Sequence, residues 1–140
     1  MKISIHDSRS IREFILKVLV TGSKGFVGKN ICLYLSEFTK IKVLTFDRSD
    51  SDSELEDRVS SADIIIHLAG ENRPKLSTDF EAVNTKLTQS ICKILSNQHS
   101  QASVVLASSI QALSDSDYGR SKFAAEEAVT QLNKSNGNPV

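Results

Sequence analysis

The chain has 140 residues, with 17 basic and 17 acidic side chains and no basic run. That balance argues against nucleic-acid binding through a charge patch and against an electrostatic membrane anchor. No apolar stretch approaches the roughly 18 residues of a membrane span, and Met1–Phe14 lacks the apolar core of a signal peptide. A single-domain cytoplasmic protein is expected. Cys32 and Cys92 each fall in a helical pattern without metal-ligand spacing, and read as buried reduced thiols.

Strands and helices alternate along the chain. Residues 1–16 form an N-terminal extension; Ile11 to Leu16 suit a helical turn, and no role follows from them. Lys17–Thr21 is a β-branched run ending in glycine and reads as a fully buried strand. Phe26 to Glu37 carries Val27, Ile31, Tyr34 and Leu35 at helical spacing, and Ile41–Phe46 is the second strand. Ser53 and Glu56 have capping-box spacing and open a short helix with Leu55 and Val59 on one face. Asp63–Leu68 is the third strand. Thr78 and Glu81 suggest another capping box, ahead of a helix with the stripe Phe80, Val83, Leu87, Ile91, Ile94 and Leu95. Ser103–Ala107 is the fourth strand. A last helix runs from about Tyr118 to Leu132, and Asn136-Gly137-Asn138-Pro139 ends it. Such alternation predicts right-handed crossovers and an α/β, Rossmann-like doubly wound parallel sheet over residues 17–140. Ligands are then expected at the carboxyl ends of the strands.

Gly22, Gly25 and Gly28 lie between the first strand and the first helix. In a dinucleotide loop the first glycine allows the tight turn and the second lets the backbone approach a pyrophosphate. The third lets helix and strand pack closely, while the helix N-terminus offers aligned N–H groups. The spacing is G-x-x-G-x-x-G rather than G-x-G-x-x-G. Gly22, Ser23, Lys24, Gly25, Phe26, Val27 and Gly28 are the cofactor-binding candidates here. Asp47, at the end of the second strand, can accept from a ribose 2′-OH and repel a 2′-phosphate, which argues for NAD. Arg48 beside it, or Lys24, could instead hold the 2′-phosphate of NADP, so both cofactors stay open. The bland alternative is a solvated Asp-Arg pair in a turn.

Tyr118 and Lys122 stand four apart on the last helix and share a face. An ammonium favours the charged form of a phenol beside it, so the pair suits proton exchange with a carbonyl/alcohol couple. Alone, this spacing recurs by chance on solvated helices.

Together, the loop from Thr21 to Gly28, His67-Leu68-Ala69-Gly70, Ser108-Ser109 after a strand, and Tyr118-Gly119-Arg120-Ser121-Lys122 resemble an extended short-chain dehydrogenase/reductase. This is the NAD-dependent epimerase/dehydratase class that works on nucleotide sugars, and the resemblance covers residues 17–140. His67 to Pro74, Ser108 to Ala112 and the short Leu113–Asp117 loop resemble its capsular-polysaccharide branch, which reduces a UDP-4-keto-6-deoxy amino sugar. The resemblance implies that Tyr118 protonates the C4 keto oxygen and that Ser109, rather than Ser108, holds that oxygen. It implies that Lys122 supports the tyrosine and bonds the nicotinamide ribose. Leu68, Ala69 and Gly70 would pass under the cofactor, and Asn84 would support the active-site water network. A UDP-sugar substrate and a homodimer through the helices at 79–96 and 118–132 are also implied. Arg73 reads equally as a contact to the substrate diphosphate or as a solvated loop arginine. Asn84 reads equally as an exposed helix residue. His67, in an apolar strand, reads more readily as a satisfied core histidine than as a proton carrier.

There are departures from the pattern. Asp47 to Ala62 is too short for both a helix and the family's extra edge strand, whose terminal acidic residue touches adenine. Val140 stands where a further strand would begin, so the resemblance implies a dinucleotide domain incomplete at its C-terminus. An inactive dinucleotide-binding fragment is therefore one alternative. A C4 epimerase is another, although that group usually has a longer loop between Ser and Tyr. A 4,6-dehydratase would carry an Asp-Glu pair where this chain has Ile110-Gln111.

Overall fold

The computed structural model describes residues 14–70 and 81–140, with side chains in the second stretch described from Asn84 onward. Four parallel strands, β1 (Leu16–Thr21), β2 (Ile41–Phe46), β3 (Ile64–His67) and β4 (Ser103–Leu106), form one sheet in the order β2-β1-β3-β4. Helices α1 (Phe26–Ser36), α2 (Asp52–Ser61), α3 (Leu87–Asn97) and α4 (Asp117–Asn136) alternate with them. The Rossmann-like expectation holds. Leu16 is already strand, paired with Ile41 and donating its N–H to Lys40 O at 2.8 Å, so the helical turn expected up to Leu16 does not reach it.

The register builds the core. Leu44, Leu19, Ile65 and Val104 form one row across the four strands. Side chains alternate between faces along a strand, and this row meets Leu55 and Val59 of α2, Ile91 and Leu95 of α3, and Val129 and Leu132 of α4. Leu19, Val59, Ile65 and Leu95 are fully enclosed. Each such side chain contributes about 1.5–3 kcal/mol by leaving water. The next row, Thr45, Val20, Ile66 and Val105, points to the opposite face, where a right-handed crossover puts α1.

Several elements differ from expectation for local reasons. In α1, Val27 and Tyr34 are exposed, Ile31 and Leu35 are half-buried, and Gly28 is the buried residue. The helix start packs through this glycine onto the loop at Gly22 and Ser23, and no stripe of large side chains on it is fully buried. The capping box of α2 is Ser51 with Glu54, not Ser53 with Glu56. Ser51 Oγ accepts from Glu54 N–H at 3.3 Å and Glu54 Oε2 accepts from Ser51 N–H at 2.8 Å. Ser51 is the extended residue from which the helix starts, with ψ 164. Glu81–Lys86 is a π-helical turn that runs into α3 rather than a regular α-helical start. Arg73, Thr78 and Phe80 lie outside the described residues, as does the Val83 side chain. α4 begins at Asp117, with Ser116 Oγ accepting from Gly119 N–H at 2.9 Å, and continues past Leu132 to Asn136. Cys92 is buried, but Cys32 is only half-buried; both are free thiols.

Between β2 and β3 the described chain forms α2 and no further strand. At the other edge of the sheet, Val104 N–H donates to Pro139 O at 2.9 Å, so the last residues run beside β4. No helix among the described residues is long and apolar enough to cross a membrane.

Candidate active site

β1 delivers Thr21 to the carboxyl edge of the sheet, and the chain turns there through Gly22 at φ 69. A Cβ on Gly22 would stand 2.8 Å from Ala69 N, and one on Gly28 would strike Gly22 O. Loop, helix and the segment after β3 therefore pack backbone against backbone. Gly25 occupies the N-cap of α1 and provides no side-chain acceptor. The first-turn N–H groups have no intrahelical partner, which suits a phosphate. A cleft of about 570 Å³ opens at this point. Gly22, Lys24 and Gly25 line one side, Asp47 and Arg48 another, and Leu68, Ala69 and Gly70 a third. Phe46, Ser49 and Leu87 line it too. Nothing in their local sequence marks them; only the sheet order brings them there.

Not every expected residue faces the cleft. Phe26 and Val27 are 85% and 55% exposed and absent from its lining. Ser23 is buried and donates its hydroxyl to Asp47 Oδ2. Lys24 N–H donates to Asp47 Oδ1 at 3.1 Å, and Lys24 Nζ donates to Ser49 Oγ at 3.0 Å. Asp47 thus ties the glycine loop to the end of β2, and its carboxylate still has acceptor capacity for a ribose hydroxyl. The turn after it is braced in the same way. Asp50 Oδ2 accepts from Asp47 N–H and from Arg58 Nη1, each at 2.8 Å. Those two bonds hold the Asp50 carboxyl below its usual range.

Next to Gly70, though not itself lining the cleft, stands Lys122, 7% exposed. Its Nζ donates to Ala107 O at 3.0 Å and lies 6.0 Å from the centre of the half-buried Tyr118 ring. Burial lowers the Lys122 pKa, with Glu126 acting in the opposite sense. Asn84 is buried rather than exposed; its Nδ2 donates to Ser121 Oγ at 3.1 Å, and that hydroxyl donates to Tyr118 O at 2.8 Å. Ser121 was not among the expected residues; its bond to Asn84, 37 residues away, has no local signal in the sequence.

The two serines after β4 separate cleanly. Ser108 is exposed and donates to Glu126. Ser109 caps the 3-10 turn Ile110–Leu113, its Oγ accepting from Gln111 N–H at 3.2 Å. That bond does not consume the Ser109 proton. The short connection to Tyr118 closes on Gly119, where a Cβ would strike Gln111 O and Ser114 O.

His67 is a core residue, 2% exposed. It sits between Thr21 Oγ1 at 2.6 Å and Thr88 Oγ1 at 2.9 Å. Burial first, then Lys122, lowers its pKa to about 4, so the ring is neutral. A second groove, of about 520 Å³, lies on the outer face of α3 and α4 around Gln89, Phe123 and Glu127. It contains no glycine loop and no buried cation, and it is remote in chemistry from the first.

A parallel sheet in this order, with a glycine loop leading from its first strand into a helix, is a Rossmann-like nucleotide domain. The chain belongs to the NAD dependent epimerase/dehydratase family, whose pattern matches residues 18–140. It is 42% identical over 125 residues to the UDP-2-acetamido-2,6-beta-L-arabino-hexul-4-ose reductase of Pseudomonas aeruginosa, a match covering 89% of this chain and 34% of that protein. It is similar to the crystal structure of the capsular polysaccharide assembling protein CapF from Staphylococcus aureus, at 36% identity and a TM-score of 0.74, covering 88% of this chain and 33% of that one. The UDP-glucuronic acid 4-epimerase of Bacillus cereus, solved with NAD, shares the fold at 17% identity and a TM-score of 0.76, over 89% of this chain and 54% of that one. The chain thus spans about a third of the length of the reductase and of CapF.

Proposed function

We propose that this chain is the dinucleotide-binding and proton-donating part of an NAD(P)-dependent reductase of a UDP-4-keto-6-deoxy amino sugar. The observation that carries the reading is the buried Lys122 ammonium. It is held by Ala107 O at the Gly70 end of a glycine-loop cleft, with the Tyr118 ring 6.0 Å away. The name of the Pseudomonas relative describes reduction of a hexul-4-ose, a 4-ketone, and supports this choice of substrate class.

The bound dinucleotide would supply the hydride. On the protein side, the Tyr118 hydroxyl gives its proton to the keto oxygen, and the Lys122 charge stabilises the phenolate left behind. One of the three Lys122 N–H groups goes to Ala107 O. The others are suited to a ribose hydroxyl of the cofactor. Ser109, with its proton uncommitted to Gln111, donates to the same keto oxygen. Asn84 holds this corner through Ser121. The dinucleotide's phosphates take the α1 N-terminus, and its adenosine ribose takes Asp47.

The ribose end carries both signs, Asp47 against Lys24 and Arg48, so NAD and NADP are both retained as cofactors. A C4 epimerase would use the same Tyr/Lys pair but is disfavoured by the short Ser109–Tyr118 connection. Cytoplasmic location and pairing of two copies through α3 and α4 complete the proposal; sedimentation as a monomer would remove the pairing.

Titration of the chain with NADH and NADPH, followed by nicotinamide fluorescence, tests the cofactor assignment. Saturable binding of at least one is expected. Absence of binding of both at millimolar concentration would overturn it.

A further inference from the structure

We propose that His67 is a positioning residue that couples the backbone floor of the dinucleotide cleft, at Ala69, to the Asn84–Ser121–Tyr118 corner through Thr21 and Thr88. The inference rests on the reading of this cleft as the dinucleotide site.

The hydrogen bonds around the ring admit one direction. Thr88 Oγ1 donates to Asn84 O at 2.8 Å. A hydroxyl has a single hydrogen, so the contact of 2.9 Å between Thr88 Oγ1 and His67 Nε2 places the proton on the ring nitrogen. A neutral imidazole protonated at Nε2 accepts at Nδ1, and Thr21 Oγ1 therefore donates there, at 2.6 Å. With that hydrogen committed, Thr21 Oγ1 is the acceptor for Ala69 N–H at 3.2 Å. The sequence of donors runs from Ala69 through Thr21 to Nδ1, and from Nε2 through Thr88 to Asn84.

Four groups of this relay are sealed from water. Thr21 is 0% exposed, Thr88 1%, and His67 and Asn84 2% each. Its ends are functional positions in the proposal above. Ala69 packs against Gly22 and lines the cleft. The Asn84 side chain continues through Ser121 to the Tyr118 carbonyl. Low local dielectric strengthens such a directed series and makes any broken link costly. Thr88 itself lines no part of the cleft and its hydroxyl touches both the ring and Asn84 O, so the Ala69 amide is the readout that singles out the route through the ring.

The test begins with long-range nitrogen–proton NMR of the His67 ring in the unmodified chain. Nε2–H is expected, and an Nδ1–H ring would overturn the proposal. Thr88→Val should then shift the Ala69 amide resonance and weaken dinucleotide binding roughly five- to tenfold, the scale of one lost buried hydrogen bond. Thr88→Ser, which keeps the hydroxyl, should restore both. A folded Thr88→Val chain with an unmoved Ala69 amide would overturn the coupling. So would unchanged affinity, provided the parent binds. If the parent binds neither NADH nor NADPH, the cofactor reading has failed, and the tautomer and the Ala69 shift judge the relay by themselves.

Discussion

Gly70 lies directly against the buried ammonium of Lys122: a Cβ placed on Gly70 would stand 3.1 Å from Lys122 Nζ and 3.2 Å from Asn84 Oδ1. The bare backbone after β3 is thus what lets the helix residue reach the end of the cleft. Gly70→Ala should displace Nζ by a few tenths of an ångström and weaken dinucleotide binding by about three- to tenfold. Thermal unfolding should move little, because the added methyl meets the ends of two side chains and no backbone atom closer than 3.8 Å. Unchanged affinity in a titration with the reduced dinucleotide would contradict this account of the cleft.

Gly119 presents a different constraint, backbone against backbone. Its position under Gln111 O and Ser114 O leaves no room for a methyl group, and neither neighbour can swing away as a side chain can. Gly119→Ala should therefore cost about 1–3 kcal/mol in urea unfolding. It should also loosen the 3-10 turn that carries Ser109.

Asp47 stands between the glycine loop and Arg48. Asp47→Asn removes the charge that would repel a 2′-phosphate while keeping one acceptor oxygen for Lys24 N–H, and the Ser23 hydroxyl can turn to accept from the new amide nitrogen. The ratio of NADPH to NADH affinity should rise about tenfold, which is about 1.4 kcal/mol. A ratio unchanged in parallel titrations would take Asp47 out of the ribose site.

His67 makes stability pH-dependent. Its folded pKa of about 4 lies below the ordinary value of 6.5, so between these values the unfolded chain binds more protons than the folded one. Stability from this group is complete above pH 6.5 and declines as pH falls toward 4, by about 3 kcal/mol in total. His67→Gln should flatten this part of a urea-midpoint profile. The nearby charge acting on the ring is Lys122, which lowers the ring pKa in the same sense as burial and so does not alter the sign.

The strands and the glycine loop were legible because their signals are local. Val18, Leu19 and Val20 form an unbroken apolar run, and Gly22 to Gly28 follows it with the spacing that close backbone packing requires. Two local signals misled where more than one residue could satisfy them. Ser51 and Ser53 both stand three before a glutamate, and only the extended backbone at Ser51 decides which one caps α2. Val27 and Tyr34 have helical spacing on α1 but face solvent, and the buried residue of the helix is Gly28, packed against the loop at Gly22 and Ser23. Thr88 and Ser121 were invisible for a third reason. Their partners, His67 and Asn84, are 21 and 37 residues away in sequence, and only the crossover brings them together.

In the proposed reaction Tyr118 gives the proton while the cleft holds the dinucleotide. The direct measurement is reduction of a UDP-4-keto-6-deoxy amino sugar by a polypeptide that carries these residues and spans the length of the reductase relative, compared with its Tyr118→Phe form. Loss of a general acid predicts a fall in turnover of roughly a hundredfold to ten-thousandfold, with the dinucleotide dissociation constant unchanged within about twofold. Turnover retained in Tyr118→Phe would contradict the account.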